Sequence, residues 1–484
     1  MKQIHSKIEI LTAAELQRLH DATLEVLAGT GCHLPHRRVL DRLRDAGAEV
    51  DYGRGEAKLP ASLVERAVAS MSDGKRITPE DKFVRGVLRN GHVGIGPGNQ
   101  ANIVDYKATV RRRGTTEDVL RGIVLCNELP HVRSAMPLVT PADVNEVMGD
   151  VYGYYLCSLY SRKPYGVYMM TPEATRRIIR MAEIRAGGSK ARVGYLLEPN
   201  GALSYDEFSL ENAVTFTESG QSFHVGPMAM AGLDAPVTIA GTLVMQNCYN
   251  LIANVVAYLW NTQCGWSGSA HTMDLRSALC SFGSPNQVLI GLGAAQLGNW
   301  YGFEVGANCA LTDACLPDFQ GGFEKGMSAI AMLLAGAGYG AQGIVGADQG
   351  ISFEQLVIDN EWTSALDHIF SHGLEVSDET LGVDVIKRVG ILGSFLAEEH
   401  TARHMRDTYW HSTIFNNESW DAWMARGGKD VNERAHERVE AILAKHYPPQ
   451  LAVAPEARAE LDAVWQDAQV HPELFQAERY KYDA

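Results

Sequence analysis

The residue types in this chain that could do chemistry by themselves are few, and their spacing excludes more than it establishes. His400 and His404 lie four apart and would share one face of a helix, the spacing of a zinc pair, but no third histidine or carboxylate follows at ligand spacing. Asp313, Asp318 and Asp348 are the acids that a metal-assisted hydrolase or lyase would draw on, although Asp318 also stands where a helix cap is expected. Eight cysteines are scattered as Cys32, Cys126, Cys157, Cys248, Cys264, Cys280, Cys309 and Cys315, with no CxxC pair. That argues against a disulfide framework, an iron–sulfur cluster or a structural zinc, and for buried thiols in a reducing compartment. Gly94, Gly96 and Gly98 alternate as GxGxG, but the third glycine of a dinucleotide fingerprint and its acidic ribose reader are missing, and there is no Walker loop.

The elements that must position any site follow from the bulk properties. A chain of 484 residues with 46% hydrophobic and 21% charged residues folds throughout. Its length suggests two to four domains unless one large α/β barrel absorbs most of it. The net charge of -15, without a clustered Lys/Arg face, argues against nucleic acid or an anionic membrane as partner. Met1 to Ile10 has no apolar signal core and no later run is long enough to span a bilayer, so a cytoplasmic protein is expected.

Residues 11 to 30, Pro35 to Ala46 and Pro60 to Met71 read as helices, with a small hairpin across the turn-rich Asp51 to Lys58. From His92 the texture changes to short Gly-containing β-rich runs, each followed by a helical pattern. The expected strands are His92–Gly96, Val132–Val139, Tyr165–Met170, Val193–Leu197, Ser222–Met228, Cys264–Ala270, Phe303–Leu311 and Ala341–Val345. The helices between them fall near Thr116–Cys126, Pro141–Tyr160, Pro172–Arg185, Tyr205–Glu218, Pro236–Trp260, Pro285–Trp300, Asp318–Gly336 and Ser352–His372. This repeat predicts an α/β fold, a (β/α)8 TIM barrel over 91–375. An N-terminal helical cap (1–90) and a C-terminal helical extension (376–484) flank it. In the extension, Thr380 to Ala397 and Trp420 to Ala444 are expected to be helical. The site belongs in the loops after the strands' C-terminal ends.

Several strings resemble one known family, in its order and spacing, over nearly the whole chain. They are "LHDATLEVLAGTGCHL" (Leu19–Leu34), "LRDAGAEVD" (Leu43–Asp51), "LPASLVERAV" (Leu59–Val68) and "TTEDVLRGIVLCNELPHV" (Thr115–Val132). Further along come "PDFQGGFEKG" (Pro317–Gly326), "LLAGAGYG" (Leu333–Gly340), "SFEQLVIDNE" (Ser352–Glu361) and "GSFLAEEHTARHMRDTYW" (Gly393–Trp410). The chain is similar to the trimethylamine methyltransferase family. The trimethylamine enzymes carry pyrrolysine in the barrel, whereas this chain consists of standard residues only, which places the resemblance in the branch without pyrrolysine.

That branch implies a small quaternary amine as substrate: glycine betaine first, then proline betaine or carnitine. The methyl group passes to a Co(I) corrinoid (cobalamin) carried by a separate corrinoid-binding protein. The resemblance implies no nucleophile or general base on the chain and no tightly bound metal, and it is compatible with a homo-oligomer. A quaternary ammonium cannot donate a hydrogen bond, so aromatic faces and carboxylates must hold it, each good cation–π contact contributing roughly 0.5–2 kcal/mol. Tyr106, Tyr168, Phe223, Trp266 and Phe353 stand at expected strand ends as candidates for the cage. Asn99, Gln100, Gln320 and Gln349 are candidates for a betaine carboxylate, and Asp313, Glu324 and Asp348 for electrostatic balance. Core packing and turn stabilisation compete for each of them. Two other classes stand beside this reading: a metal-assisted TIM-barrel lyase or hydrolase, and a non-catalytic binder of small quaternary cations.

Overall fold

The computed structural model describes residues 8–72, 88–89, 92–108, 110–338 and 340–476. Parts of three expectations lie outside them: the start of the leader reading, the 73–87 stretch of the cap, and the last residues of the extension.

The N-terminal helices form where their caps and apolar spacing predict. Ala13–Gly29 opens on a capping box in which Thr12 and Glu15 each bond the other's backbone amide. It buries Leu16, Leu19 and Leu27. Arg37–Asp45 and Ala61–Met71 follow. The hairpin pairs Glu49–Asp51 with Glu56–Lys58 in the register Val50↔Ala57. The long helix Ile239–Leu259 receives the first and third of these helices, and their buried side chains share one hydrophobic core with the strands below.

From Ile95 onward the ladders are predominantly parallel. Ile95 pairs with Val132, Ala135 with Tyr165, Leu196 with His224, Phe223 with Cys264 and Trp266 with Val305. Pro97 pairs with Gln342, so the last strand segment lies beside the first. Between the segments run Thr116–Glu128, Gly149–Tyr160, Pro172–Arg185, Glu207–Glu218, Ile239–Leu259, Pro285–Tyr301 and Phe319–Leu334, with Phe353–Asp367 after the last. Thr115, Thr171, Asp206, Thr238, Ser284, Asp318 and Ser352 each accept a first-turn amide with the side chain, which is why these helices start where they do. With the strands parallel and a helix crossing back after each, the loops at their C-terminal ends gather at one end of the molecule.

Several boundaries differ from expectation for readable reasons. The helix expected from Pro141 begins only at Gly149. The intervening backbone is committed elsewhere: Thr140 donates to Gln100, Ala142 donates to Gly114, and Asp143 accepts from Thr116. Past Ala270 the chain continues into an antiparallel hairpin, His271–Asp274 with Leu279–Ser281. Phe353–Asp367 runs on into a π-helical turn, His368–His372. Thr380 to Ala397 is broken at Gly382 and Gly390, and Trp420 to Ala444 at Gly427 and Gly428, all with positive φ. The extension's Val431–His446 packs on Phe353–Asp367 and Thr116–Glu128, and its Pro455–Val470 on Gly149–Tyr160 and Pro172–Arg185.

Candidate active site

The turn after the last strand segment organises the mouth. Ile344–Val345 folds back on Gly350–Ile351, and at its tip Gly346, Ala347 and Asp348 all take left-handed backbone, with φ of 68°, 52° and 64°. Only glycine adopts this region freely, so holding Ala347 and Asp348 there costs about 1–2 kcal/mol each. The surrounding structure supplies that through the Gly346 amide to Ala314 (2.7 Å) and the Ala347 amide to Thr312 (2.9 Å). The strained turn delivers the Asp348 side chain to Gln100, whose carboxamide donates to it. Gln100 is itself fixed, its amide donating to Leu138 and its carbonyl accepting from Thr140.

Burial pushes the Asp348 carboxyl up to about 6, only partly offset by the charge of Lys325. Lys325 does not neutralise it by contact. Its ammonium is fully buried against Asp359 at 2.8 Å, and Asp359 also accepts from Gly343, Gln355 and Trp362. A second carboxylate faces the same space. Glu198, just past Leu196–Leu197, is reachable by solvent, yet desolvation and the negative charge of Asp348 raise its carboxyl above the usual range. Its stem lies beside Gly226, where a Cβ would sit 3.0 Å from it. No described residue donates a hydrogen bond to it. Cys280 completes this side, its thiol pushed up to about 12 by burial and by Asp313 and Asp348, so it stays protonated and is no nucleophile at neutral pH.

The other predicted acids serve as ties. Asp313 accepts from the Ser281 hydroxyl (2.7 Å) and the Phe282 amide (2.6 Å), anchoring the hairpin to the loop after Val305–Ala307. Glu324 accepts from Thr312 (2.6 Å), the Asp313 amide (2.9 Å) and Gln320 (2.8 Å). Asp318 caps its helix through the Gly321 amide. Among the described residues no group of three or more His, Cys, Asp or Glu is arranged to hold a metal ion. His400 and His404 lie on an exposed helix and both engage Glu379.

The chain's sequence matches the model of the family described as Trimethylamine methyltransferase (MTTB) over residues 1–466. The chain belongs to the trimethylamine methyltransferase family. It is 30% identical over 451 residues to the trimethylamine methyltransferase MttB of Desulfitobacterium hafniense (strain DSM 10664 / DCB-2), covering 90% of each chain. It is also 27% identical over 473 residues to the glycine betaine methyltransferase of Desulfitobacterium hafniense (strain Y51), covering 96% of this chain and 98% of that one. Among solved structures it aligns with the monomethylamine methyltransferase MtmB of Methanosarcina barkeri, with a TM-score of 0.45, 11% identity and coverage of 91% and 90%. Like its relatives, this family member is a methyltransferase.

Within this methyltransferase the aromatic candidates separate. Tyr168 stands exposed past the end of its strand segment. Trp266 is buried against the Pro285–Tyr301 helix, where a Cβ on Gly298 would lie 2.5 Å from its ring, so it faces the helix layer. Phe223 is fully buried, with its ring against Tyr195. Phe353 sits in a second core cluster under the Arg121 guanidinium. Tyr106 stacks on His436 of the extension, with ring centroids 3.8 Å apart. Asn99 donates to the Pro137 carbonyl, and Gln349 accepts from Arg111 at 2.6 Å on the surface. The structure therefore brings Gln100 and Asp348 together, and leaves the other amide and aromatic candidates dispersed.

Glu198 and Cys280 were missed in the sequence. Glu198 stands in a Pro-Asn-Gly stretch that reads as an ordinary turn, and no local pattern marks it. Also missed was His271, whose imidazole is buried and held down at about 4 by desolvation. It is neutral, with Gln287 at 3.3 Å on one ring nitrogen and Asn308 at 3.0 Å on the other. That bonding assigns it to bracing the mouth between neighbouring strand ends.

Proposed function

We propose that this methyltransferase demethylates a small quaternary amine, with glycine betaine first and proline betaine or carnitine next, and delivers the methyl group to a corrinoid on a separate protein. The observation that carries this reading is the carboxylate pair Glu198 and Asp348. It holds negative potential past the strand segments' ends, with Asp348 half-buried and Glu198 exposed, where the nearby cation, Lys325, is already bound to Asp359. A quaternary ammonium fits such a place, because it needs no hydrogen-bond acceptor and brings a permanent charge. Tyr168 adds an aromatic face at the rim, and the Gln100 carboxamide fixes the Asp348 carboxylate that meets the cation. The relative named a glycine betaine methyltransferase supports the same substrate class. The proposed architecture is a closed (β/α)8 barrel over 91–375, with a cap over 1–90 and an extension over 376–484; the pairing of Pro97 with Gln342 supports closure.

The surroundings of the mouth fit a corrinoid-bearing partner. Met170, Leu233, Val237, Leu275 and Leu316 stand exposed on loops past the strands' C-terminal ends, and Phe319 at the start of the helix Phe319–Leu334. Soluble surfaces rarely gather so much apolar area without a partner. The corrinoid supplies the Co(I) nucleophile that takes the methyl group. The chain positions the amine, excludes water and holds the positive nitrogen against Glu198 and Asp348 until it departs as a neutral amine.

The test is anaerobic methylation of Co(I) cobalamin, followed by its absorbance, with glycine betaine, proline betaine, carnitine, choline and trimethylamine. Conversion of one quaternary amine and not of trimethylamine is expected. Conversion of trimethylamine alone, or saturable betaine binding without transfer, would overturn the reading.

A further inference from the structure

At the end of the fold opposite Gln100 and Asp348, two open cavities of about 570 and 500 Å³ lie along the extension, the larger one against the Phe353–Asp367 helix. Asp367 accepts the Val93 amide and Asn360 the His131 amide, which sets the larger cavity at the N-terminal ends of the first strands. His411 and Thr413 line both cavities, so the two share a wall. Each volume falls within the roughly 300–1,000 Å³ of small-molecule sites.

Charge in this space is not balanced. Its acids are engaged: Glu361 accepts from the Ser412 and Thr413 hydroxyls (2.6 and 2.8 Å) and from the Thr413 amide, and Asp367 from Val93 and Ser371. Glu418 pairs with Arg426 and Glu437 with Lys429. Two cations are left over. Arg438 lines the larger cavity and Arg434 the smaller, and among the described residues neither side chain makes a hydrogen bond or an ion pair. The Arg434 Nε is closed off from solvent and still donates to nothing. The imidazoles of His368, His372 and His411 hold no hydrogen bond among the described residues either.

Arg434 and Arg438 are four apart on Val431–His446, so they share one helix face about 6 Å apart along its axis. We infer that this pair binds a small phosphorylated molecule, its phosphate between the two guanidinium groups and its organic part in the larger cavity. Two uncompensated positive charges match a phosphate monoester, which carries about two negative charges at neutral pH. A guanidinium meets two phosphate oxygens at once, and each neutral imidazole adds one N–H donor. Among the described residues no three His, Cys, Asp or Glu are arranged for a metal ion, so these histidines stand as donors and not as ligands. Trp410 gives the organic part a fixed wall, its indole N–H donating to Ser364 at 2.9 Å. The net charge of -15 repels anions from the surface at large, so an anion held here is held by local groups. The site is remote from the amine mouth, and its occupancy requires no methyl transfer.

The test is titration calorimetry on the full chain with inorganic phosphate, pyrophosphate, glycerol phosphate and succinate at matched ionic strength. Saturable binding of a phosphate probe, tighter than that of succinate, is expected. Arg434→Gln and Arg438→Gln should each weaken it by about 10-fold and together by about 100-fold, the loss of one charge-assisted contact apiece. Arg66→Gln, an exposed arginine on the helix Ala61–Met71, should leave it unchanged. Hydrogen exchange on the wild type locates the site without a variant: the bound probe should slow exchange across 361–372 and 410–438 and leave the segments around Gln100 and Asp348 as they were. No saturable phosphate binding would overturn the inference, as would protection confined to the mouth or equal weakening by Arg66→Gln. Succinate bound as tightly as the phosphates would overturn phosphate as the group recognised.

Discussion

Asp348 shows what a half-buried carboxylate costs the protein that holds it. With its carboxyl raised from the usual 3.8 to about 6, ionisation is less favourable in the folded chain than in the unfolded one. The sign follows: stability is greatest below the unfolded value, falls as pH rises through the interval up to about 6, and is level above it. Asp348→Asn should therefore raise stability at pH 8 by up to roughly 3 kcal/mol and by little at pH 4, as urea melts at the two pH values would show. In the proposed site binding runs the opposite way, because the ionised carboxylate is the form that would meet the cation. Betaine Kd in the wild type should rise about tenfold per pH unit below 6 and be flat above, while the variant binds more weakly throughout with no such break. A pH-independent wild-type Kd between 4 and 8 would remove Asp348 from the site.

Lys325 poses a different test at the same scale. Replacing it by Met leaves Asp359 charged and buried with only neutral donors, a loss of about 3–5 kcal/mol for breaking such a pair from one side. It also withdraws the one charge that lowers Asp348. The Lys325→Met variant should melt well below the wild type, and where it stays folded the break in its betaine-binding profile should move to higher pH. An unchanged break would mean that Lys325 acts on the fold alone.

At the scale of elements, the turn Gly346–Ala347–Asp348 is the device that brings the Asp348 carboxylate to Gln100. Ala347→Gly relieves the left-handed strain at φ 52° while adding freedom to the unfolded chain, so its stability should change by less than about 1 kcal/mol. The looser tip should raise KM for the amine several-fold with kcat less affected, which steady-state kinetics would separate. Equal losses in both would show that the turn shapes the transition state as well.

How much of this was legible follows from which interactions are local. The helices after the strands could be read because Thr115, Thr171, Ser284 and Ser352 cap them from the next position along the chain. Gln100 and Asp348 could be placed past their strands for the same reason. Trp266 and Phe223 could not be assigned a direction, because parallel strands are covered on both faces and the sequence pattern does not tell helix side from lumen. Glu198 owes its raised carboxyl to desolvation in the folded chain and to Asp348, 150 positions away, neither of which a sequence window reveals.

At the scale of the whole molecule, the proposed function puts chemistry and docking at different depths of one mouth, and this allows them to be separated. Asp348 is half-buried, whereas Phe319 is 88% exposed and Leu316 half exposed on the loop and helix after Val305–Ala307. Neither side chain belongs to the core, so Leu316→Ser with Phe319→Ser should leave the melting temperature within a degree or two of the wild type's. Free cobalamin is small enough to enter without the rim, and its methylation should proceed at close to the wild-type rate. In the proposed reading, transfer to a corrinoid held on its protein depends on the apolar contact around the mouth. Losing two exposed anchors should raise KM for that partner by about 10-fold or more while kcat at saturation changes little. Equal loss with free and protein-bound corrinoid would put Leu316 and Phe319 in the amine site. No loss with either would mean that the partner approaches over the opposite side of the mouth, where Met170 and Tyr168 stand exposed.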